Sequence, residues 1–194
     1  MAVDELAGVD EAGRGALAGP VVAAAVILGP DHGIEGLNDS KKLGASRRER
    51  LYEQITSGAR AWAIAELAHD EIDRINILQA SLRAMAMAVA ELDPAPTLCL
   101  VDGNRVPPMD RPARAVIGGD AIHAEIMAAS ILAKVHRDRR MQGLDTEYPG
   151  YGFARNKGYP TAAHRHALST RGPSPVHRLS YAPVAQCVLA LEAP

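Results

Sequence analysis

Residues 8–22 read GVDEAGRGALAGPVV, from Gly8 to Val22. A short apolar run, Leu6 to Val9, leads into two adjacent carboxylates, Asp10 and Glu11. A glycine-rich link, Gly13-Arg14-Gly15, follows at once. A second apolar run then opens at Pro20 and continues as PVVAAAVILGP to Gly29-Pro30. This second run is rich in β-branched residues and bracketed by breakers, so it reads as a buried strand. Two apolar runs joined by a short glycine-rich link predict an antiparallel pair. The acids between them are costly inside a fold, and Gly-Arg-Gly has little packing value. Both need a reason.

Outward from this pair, Ser46-Arg47-Arg48-Glu49 reads as a capping box that opens a helix through about residue 55. Ala61 to Ala65 reads as a third strand. Leu78, Leu82, Met85, Val89 and Leu92 recur at steps of four and three, which places them on one helix face, and that stripe reads as core. Pro94 and Pro96 end the helix. TLCLVDG (97–103) is a fourth strand closing on Asp102. RAVIGGD (114–120) is a fifth, closing on Asp120. A nearly all apolar, small-residue helix follows from about 122 to 141. Beyond Tyr148-Pro149-Gly150-Tyr151-Gly152 the chain reads as loop, then as a helix from near Thr161 and a last apolar stretch from Val184 to Leu191. The element order predicts an α/β fold, a mixed sheet with helices on its faces. Residues 1–194 read as one domain, with about 142–194 as a helical and loop appendage.

The chain has 194 residues, 47% hydrophobic and 23% charged, which suits one globular domain with a substantial core. The run from Val21 to Leu28 is far shorter than the ~20 residues that span a bilayer. The first residues lack the basic and apolar regions of a signal peptide. Cys99 and Cys187 sit in apolar segments and read as buried free thiols, so a reducing cytoplasm is expected. The formal net charge of −2 conceals a gradient. Residues 1–133 hold 12 basic and 19 acidic side chains, whereas residues 134–178 hold 9 and 3. That asymmetry fits a polyanion partner at one end, and it equally fits a solvated basic helix.

Three of the five strands close on an acid: Asp10-Glu11, Asp102 and Asp120. Sites in α/β sheets form at the carboxyl ends of strands. Alone, each acid reads as a surface carboxylate or, for Asp120, a helix cap; four at strand ends read as a site. Two like charges about 4 Å apart repel by roughly 4 kcal/mol at an effective dielectric near 20. Such a cluster must protonate, spread apart or bind cations, and oxygen ligands select hard ions such as Mg²⁺ or Mn²⁺. Two such ions form the standard clamp for displacement at phosphorus. One difficulty stands: neighbours on a strand point to opposite faces, so Asp10 and Glu11 share a site only if the strand ends or breaks there.

The spacing of Gly13, Gly15 and Gly19 is not the dinucleotide-binding fingerprint, and the segment is not a P-loop. Close approach of bare backbone to a ligand fits better. On a nucleic acid that backbone can touch a 2′-hydroxyl, the group that separates RNA from DNA, while Arg14 can meet a phosphate.

Taken together, DEAGRGALAGPVVAAAVIL, LNDSKKLGASRRERLYEQI, LVDGN, GGDAIHAEIMAASILAKVHRDRRM and YPGYGFARNKGYPTAAHRHAL closely resemble the type 2 ribonucleases H, the bacterial ribonuclease HII family. The resemblance spans about Gly8 to Leu168. It implies a ribonuclease H-like fold with a mixed five-stranded sheet and a small helical C-terminal part. It implies a divalent-metal-dependent endonuclease that cuts RNA in RNA–DNA hybrids and at single ribonucleotides in duplex DNA, leaving 5′-phosphate and 3′-hydroxyl ends. By resemblance the metal-binding, catalytic acids are Asp10, Glu11, Asp102 and Asp120, around two Mg²⁺ or Mn²⁺ ions. The ribonucleotide-reading turn is Gly13, Arg14 and Gly15, and Tyr159 stacks on the neighbouring deoxyribose. Ser40, Lys41 and Lys42 contact phosphate, and Asp138 supports the structure. A monomer without an obligate protein partner is expected. The rival readings are a DNA resolvase on the same fold and a non-catalytic hybrid-binding module.

Overall fold

The opening stretch forms the pair its sequence predicts. In the computed structural model, which describes residues 5–192, β1 (Leu6–Ala12) runs antiparallel to β2 (Val21–Ile27). The chain continues through a 3₁₀ turn (Ser40–Lys42), α1 (Ala45–Gly58), β3 (Ala61–Leu67), α2 (His69–Ile75), α3 (Ile77–Ala90), β4 (Leu98–Asp102) and β5 (Ala113–Val116). A second 3₁₀ turn (Gly119–Ala121) leads to α4 (Ala124–Glu147), α5 (Phe153–Asn156), α6 (Ala162–Arg171) and α7 (Ala182–Glu192). The five strands form one sheet in the order β3-β2-β1-β4-β5. β2 is antiparallel to both its neighbours, whereas β1, β4 and β5 run parallel. The expected mixed five-stranded sheet is therefore present.

Both faces of the sheet are covered, which is why β2 is buried along its whole length. One face carries Ala7, Val9, Ala25, Cys99 and Val101 against Ala84, Met85, Ala88 and Val89 of α3. The other carries Val22, Ala24 and Val26 against α1 and the middle of α4. Fully burying a side chain such as Ile131 or Leu132 stabilises the fold by roughly 1.5–3 kcal/mol. The stripe on α3 is core at Met85, Val89 and Leu92, but the deepest row is Ala80, Ala84 and Ala88. Small side chains there bring α3 close to the sheet.

Gly8 decides where α4 lies. A Cβ at Gly8 would sit 2.1 Å from the main-chain carbon of Glu125, so the helix backbone rests directly on the strand. From that contact the two elements advance together. Four helical residues and two strand residues each cover about 6 Å, which carries Ser130 over Asp10.

Several expectations change in detail. Ser46 does not cap α1; Gly44 precedes the helix without a side-chain bond, and the helix starts at Ala45. β5 stops at Val116, and Gly118 in left-handed backbone (φ +66) turns the chain, so Asp120 lies in a 3₁₀ turn rather than at a strand end. α2 was not anticipated, and α4 extends to Glu147. Cys99 is buried but Cys187 is only half-buried, with its thiol bonded to the Leu168 carbonyl. Among the described residues no helix is long and apolar enough to cross a membrane.

Candidate active site

Because β1, β4 and β5 are parallel, their carboxyl ends meet at one edge of the sheet. Asp10 lies near the end of β1, Asp102 ends β4, and Asp120 follows β5. Their carboxylates come together, each offering an oxygen within 4.8 Å of the others. Asp10 and Asp120 are buried. The Asp120 N–H points to Asp102 Oδ1 at 3.4 Å, which ties the 3₁₀ turn to β4.

Glu11 stands apart from this triad. β1 does not break between the two acids: Asp10 pairs with Ala24 and Glu11 with Ala23. The pleat therefore sends Asp10 to the α4 face and Glu11 to the other. Glu11 lines the same groove, but its carboxylate accepts from Arg14 at 3.3 Å.

The electrostatics show a site short of positive charge. Burial pushes the Asp10 carboxyl well above its ordinary value, and the charges of Glu11 and Asp102 push it further. Bonds from the Glu11 N–H (2.7 Å) and Ser130 offset only part of this. Burial and then Asp120 raise Asp102. Burial also raises Glu11, while Arg14 pulls it back. Lys41 responds in the opposite sense: desolvation alone would lower it, but Asp120, Asp10 and Asp39 outweigh that and raise it. Its ammonium lies 3.4 Å from Asp120 Oδ2 on a largely exposed side chain, a cation at the edge of the cluster. A donor set made only of carboxylate oxygens suits a hard divalent ion rather than a soft one.

Asp10, Glu11 and Asp102 open onto a groove of about 560 Å³, also lined by the Gly13–Gly15 turn, Lys41, Lys134 and Tyr159. Gly13 has φ +100, and its close neighbour is not open space: a Cβ there would lie 2.1 Å from Arg137 Nε. Gly15 faces the groove, where a Cβ would lie 4.0 Å from Tyr159 Cε1. Gly15 and the half-buried Tyr159 thus form two walls of a narrow gap beside the acids.

The NDSKK segment divides. Asp39 accepts from the Lys41 N–H and starts the 3₁₀ turn. Ser40 is buried at the groove wall, with its hydroxyl 2.8 Å from that of Ser130. Lys41 faces the acids. Lys42 is exposed and does not line the groove. Asp138 pairs with Lys134 at 2.7 Å and lies 3.9 Å from Arg48, in keeping with a supporting role.

Four contributors escaped the sequence reading. Ser130 and Lys134 share one face of α4, and their i, i+4 spacing with Asp138 was the available signal. Arg137 and Arg178 are fully buried, at 1% and 0% exposure. Arg137 donates to the carbonyls of Pro20, Lys157 and Ala18. Arg178 donates to those of Gly19, Arg14 and Pro20. Nothing local distinguishes either from a surface arginine.

The family model for ribonuclease HII matches residues 7–184. The chain belongs to the ribonuclease HII family. The ribonuclease HII of Dechloromonas aromatica is 59% identical over 92% of this chain and 91% of its own length. That of Acinetobacter baylyi is 57% identical over 92% of this chain and 95% of its own. The crystal structure of the ribonuclease H2 from Pyrococcus horikoshii superposes with a TM-score of 0.81 at 26% identity, covering 97% of this chain and 99% of that one. Ribonucleases HII are hydrolases that cleave the RNA of RNA–DNA hybrids, so this chain is an RNA-cleaving hydrolase on a ribonuclease H-like fold.

Proposed function

We propose that this chain is a divalent-metal-dependent endonuclease acting on RNA–DNA hybrids and also at single ribonucleotides embedded in duplex DNA, with 5′-phosphate and 3′-hydroxyl products. The observation that carries the reading is the carboxylate triad beside the gap between Gly15 and Tyr159. Asp10, Asp102 and Asp120 would hold Mg²⁺ or Mn²⁺, with Glu11 completing the set from the other face of β1. Bound there, such ions would supply Lewis acidity at phosphorus and a more acidic water. Ser130 orients the Asp10 carboxylate. The bare backbone of Gly13, Arg14 and Gly15 meets the 2′-hydroxyl, which both donates and accepts. The Tyr159 ring stacks on the adjoining deoxyribose. Lys134, Lys41 and Arg14 meet phosphate oxygens as the groove fills. Recognition of the ribose thereby places the neighbouring phosphate against the acids, so binding energy is spent on orientation.

The test pairs an all-DNA duplex with the same duplex carrying one ribonucleotide, each with and without divalent ion. Cutting is expected only where the ribose and the ion are both present, with 5′-phosphate and 3′-hydroxyl ends. Cutting of the all-DNA duplex would favour a resolvase. Affinity without ion-dependent turnover would leave only a binding module.

A further inference from the structure

Behind Tyr159 lies a chain of hydrogen bonds whose direction the donors and acceptors dictate. The Tyr159 carbonyl can only accept, and His164 Nδ1 lies 2.9 Å from it, so that nitrogen carries the proton. At the other end His177 Nδ1 lies 2.7 Å from the Ser174 hydroxyl, which can donate or accept, and 2.9 Å from the Ser174 N–H, which can only donate, so that nitrogen is bare and the hydroxyl donates too. The two rings meet Nε2 to Nε2 at 3.0 Å. Neutral His177 then carries its proton on Nε2 and gives it to the bare Nε2 of His164. One tautomer of each ring satisfies every bond, and protonating either ring would break one.

The surroundings hold both rings neutral. His164 and His177 are buried, and Tyr151 and Phe153 pack on His177 with centroids 5.1 and 5.6 Å away. Burial, then the proximity of His164, lowers His177 to about 4, and burial lowers His164 as well. The chain leads somewhere specific. The residue after His177 is Arg178, whose guanidinium holds the carbonyls of Arg14 and Gly19. Two consecutive residues thus secure the two walls of one gap: His177 secures Tyr159 through His164, and Arg178 secures the Gly13–Gly15 turn. An apolar pair could fill the same space, but it would not fix the Tyr159 peptide relative to that turn.

We propose that His164 and His177 are positioning residues, whose one-way hydrogen-bond chain from Ser174 to the Tyr159 carbonyl sets the Tyr159 ring against the Gly13–Gly15 turn and so determines turnover at a ribonucleotide junction. The proposal rests on the reading of Tyr159 given above, and the experiment separates the two.

His164→Leu and His164→Asn are made in the parent and in Tyr159→Ala, and kcat and KM are measured on the single-ribonucleotide duplex. His164→Leu should lower kcat ~10–100-fold with a smaller change in KM. His164→Asn, whose amide still donates to the Tyr159 carbonyl, should recover most of that loss. In the Tyr159→Ala background the cost of His164→Leu should shrink to within about twofold. Equal losses in both backgrounds would overturn the proposal. Parental activity of Tyr159→Ala would remove the reading of Tyr159, and the proposal with it. Should His164→Leu fail to fold, ¹⁵N-histidine spectra of the parent still decide. They should show His164 protonated on Nδ1 and His177 on Nε2, and any other pair of tautomers refutes the chain.

Discussion

Two parts of this molecule bury charge, and they treat it in opposite ways. Under the C-terminal helices, Arg137 and Arg178 are sealed from water, yet their N–H groups end on main-chain carbonyls of residues 14–20 and 157. Burial still lowers Arg137 to about 10, but each of its three nitrogens donates to a carbonyl. At the edge of the sheet, Asp10, Asp102 and Asp120 are crowded together, and among the described residues Lys41 is the one basic side chain that pairs with them, beside a few N–H and O–H donors. The first region satisfies its own charge and becomes scaffold. The second leaves its charge unbalanced, and an external cation is what would complete it. Strong perturbation alone does not mark a function; the absence of an internal remedy does.

Asp10→Asn tests the contrast most severely. It should lower kcat on an RNA–DNA hybrid at least ~10³-fold, since several kcal/mol of ion-borne stabilisation depend on that carboxylate. The same variant should melt higher than the parent in EDTA at neutral pH, because it removes a charge the fold does not balance. A lower melting temperature would place Asp10 in the scaffold class. Arg178→Met should do the reverse. It strands the Gly19 carbonyl, leaves that of Arg14 to the Tyr181 hydroxyl alone, and should cost about 3 kcal/mol or more in chemical denaturation, with divalent-ion affinity by calorimetry near the parental value.

The pH dependence follows from the same carboxyls. Asp10 and Asp102 have raised values in the fold. Their contribution to stability is therefore complete below the unfolded carboxyl value and is lost as pH rises through the folded ones. Ion binding needs the deprotonated form, so it should recover that loss. The gap in melting temperature between ion-loaded and EDTA-treated protein should widen from about pH 5 to about pH 8; a constant gap breaks the argument. The smallest effect is expected at Lys42, which touches neither region. Lys42→Ala should stay within about 0.5 kcal/mol in stability and keep the parental kcat, whereas Lys41→Ala should alter divalent-ion affinity.

Much of this was legible because the signals are local. Val21–Ile27 reads as a buried strand from its β-branched ends and its breakers, and the acids stand out as polar residues closing apolar runs. The failures share one cause. Ser46 has the right type and spacing for a cap, yet the cap position falls two residues earlier, on Gly44. Ser40 lines the groove beside Lys41, yet nothing near it in the sequence announces that its hydroxyl meets Ser130 of α4. Gly13 lines the groove, but nothing local reveals that a side chain there would run into the buried Arg137 guanidinium.

The sequence by itself determined the kind of sheet, the acids at its edge and the family, because periodicity, breakers and motif spacing are properties of neighbouring residues. Only the tertiary structure decided that Asp10, Asp102 and Asp120 bring their carboxylates together while Glu11 lines the groove from the other face of β1, and that Arg137, His164, His177 and Arg178 hold the groove. The pleat of β1 and the long-range packing of α4 and the C-terminal segment set those directions. Contacts between residues as far apart as Arg14 and Arg178 leave no trace in the spacing of either.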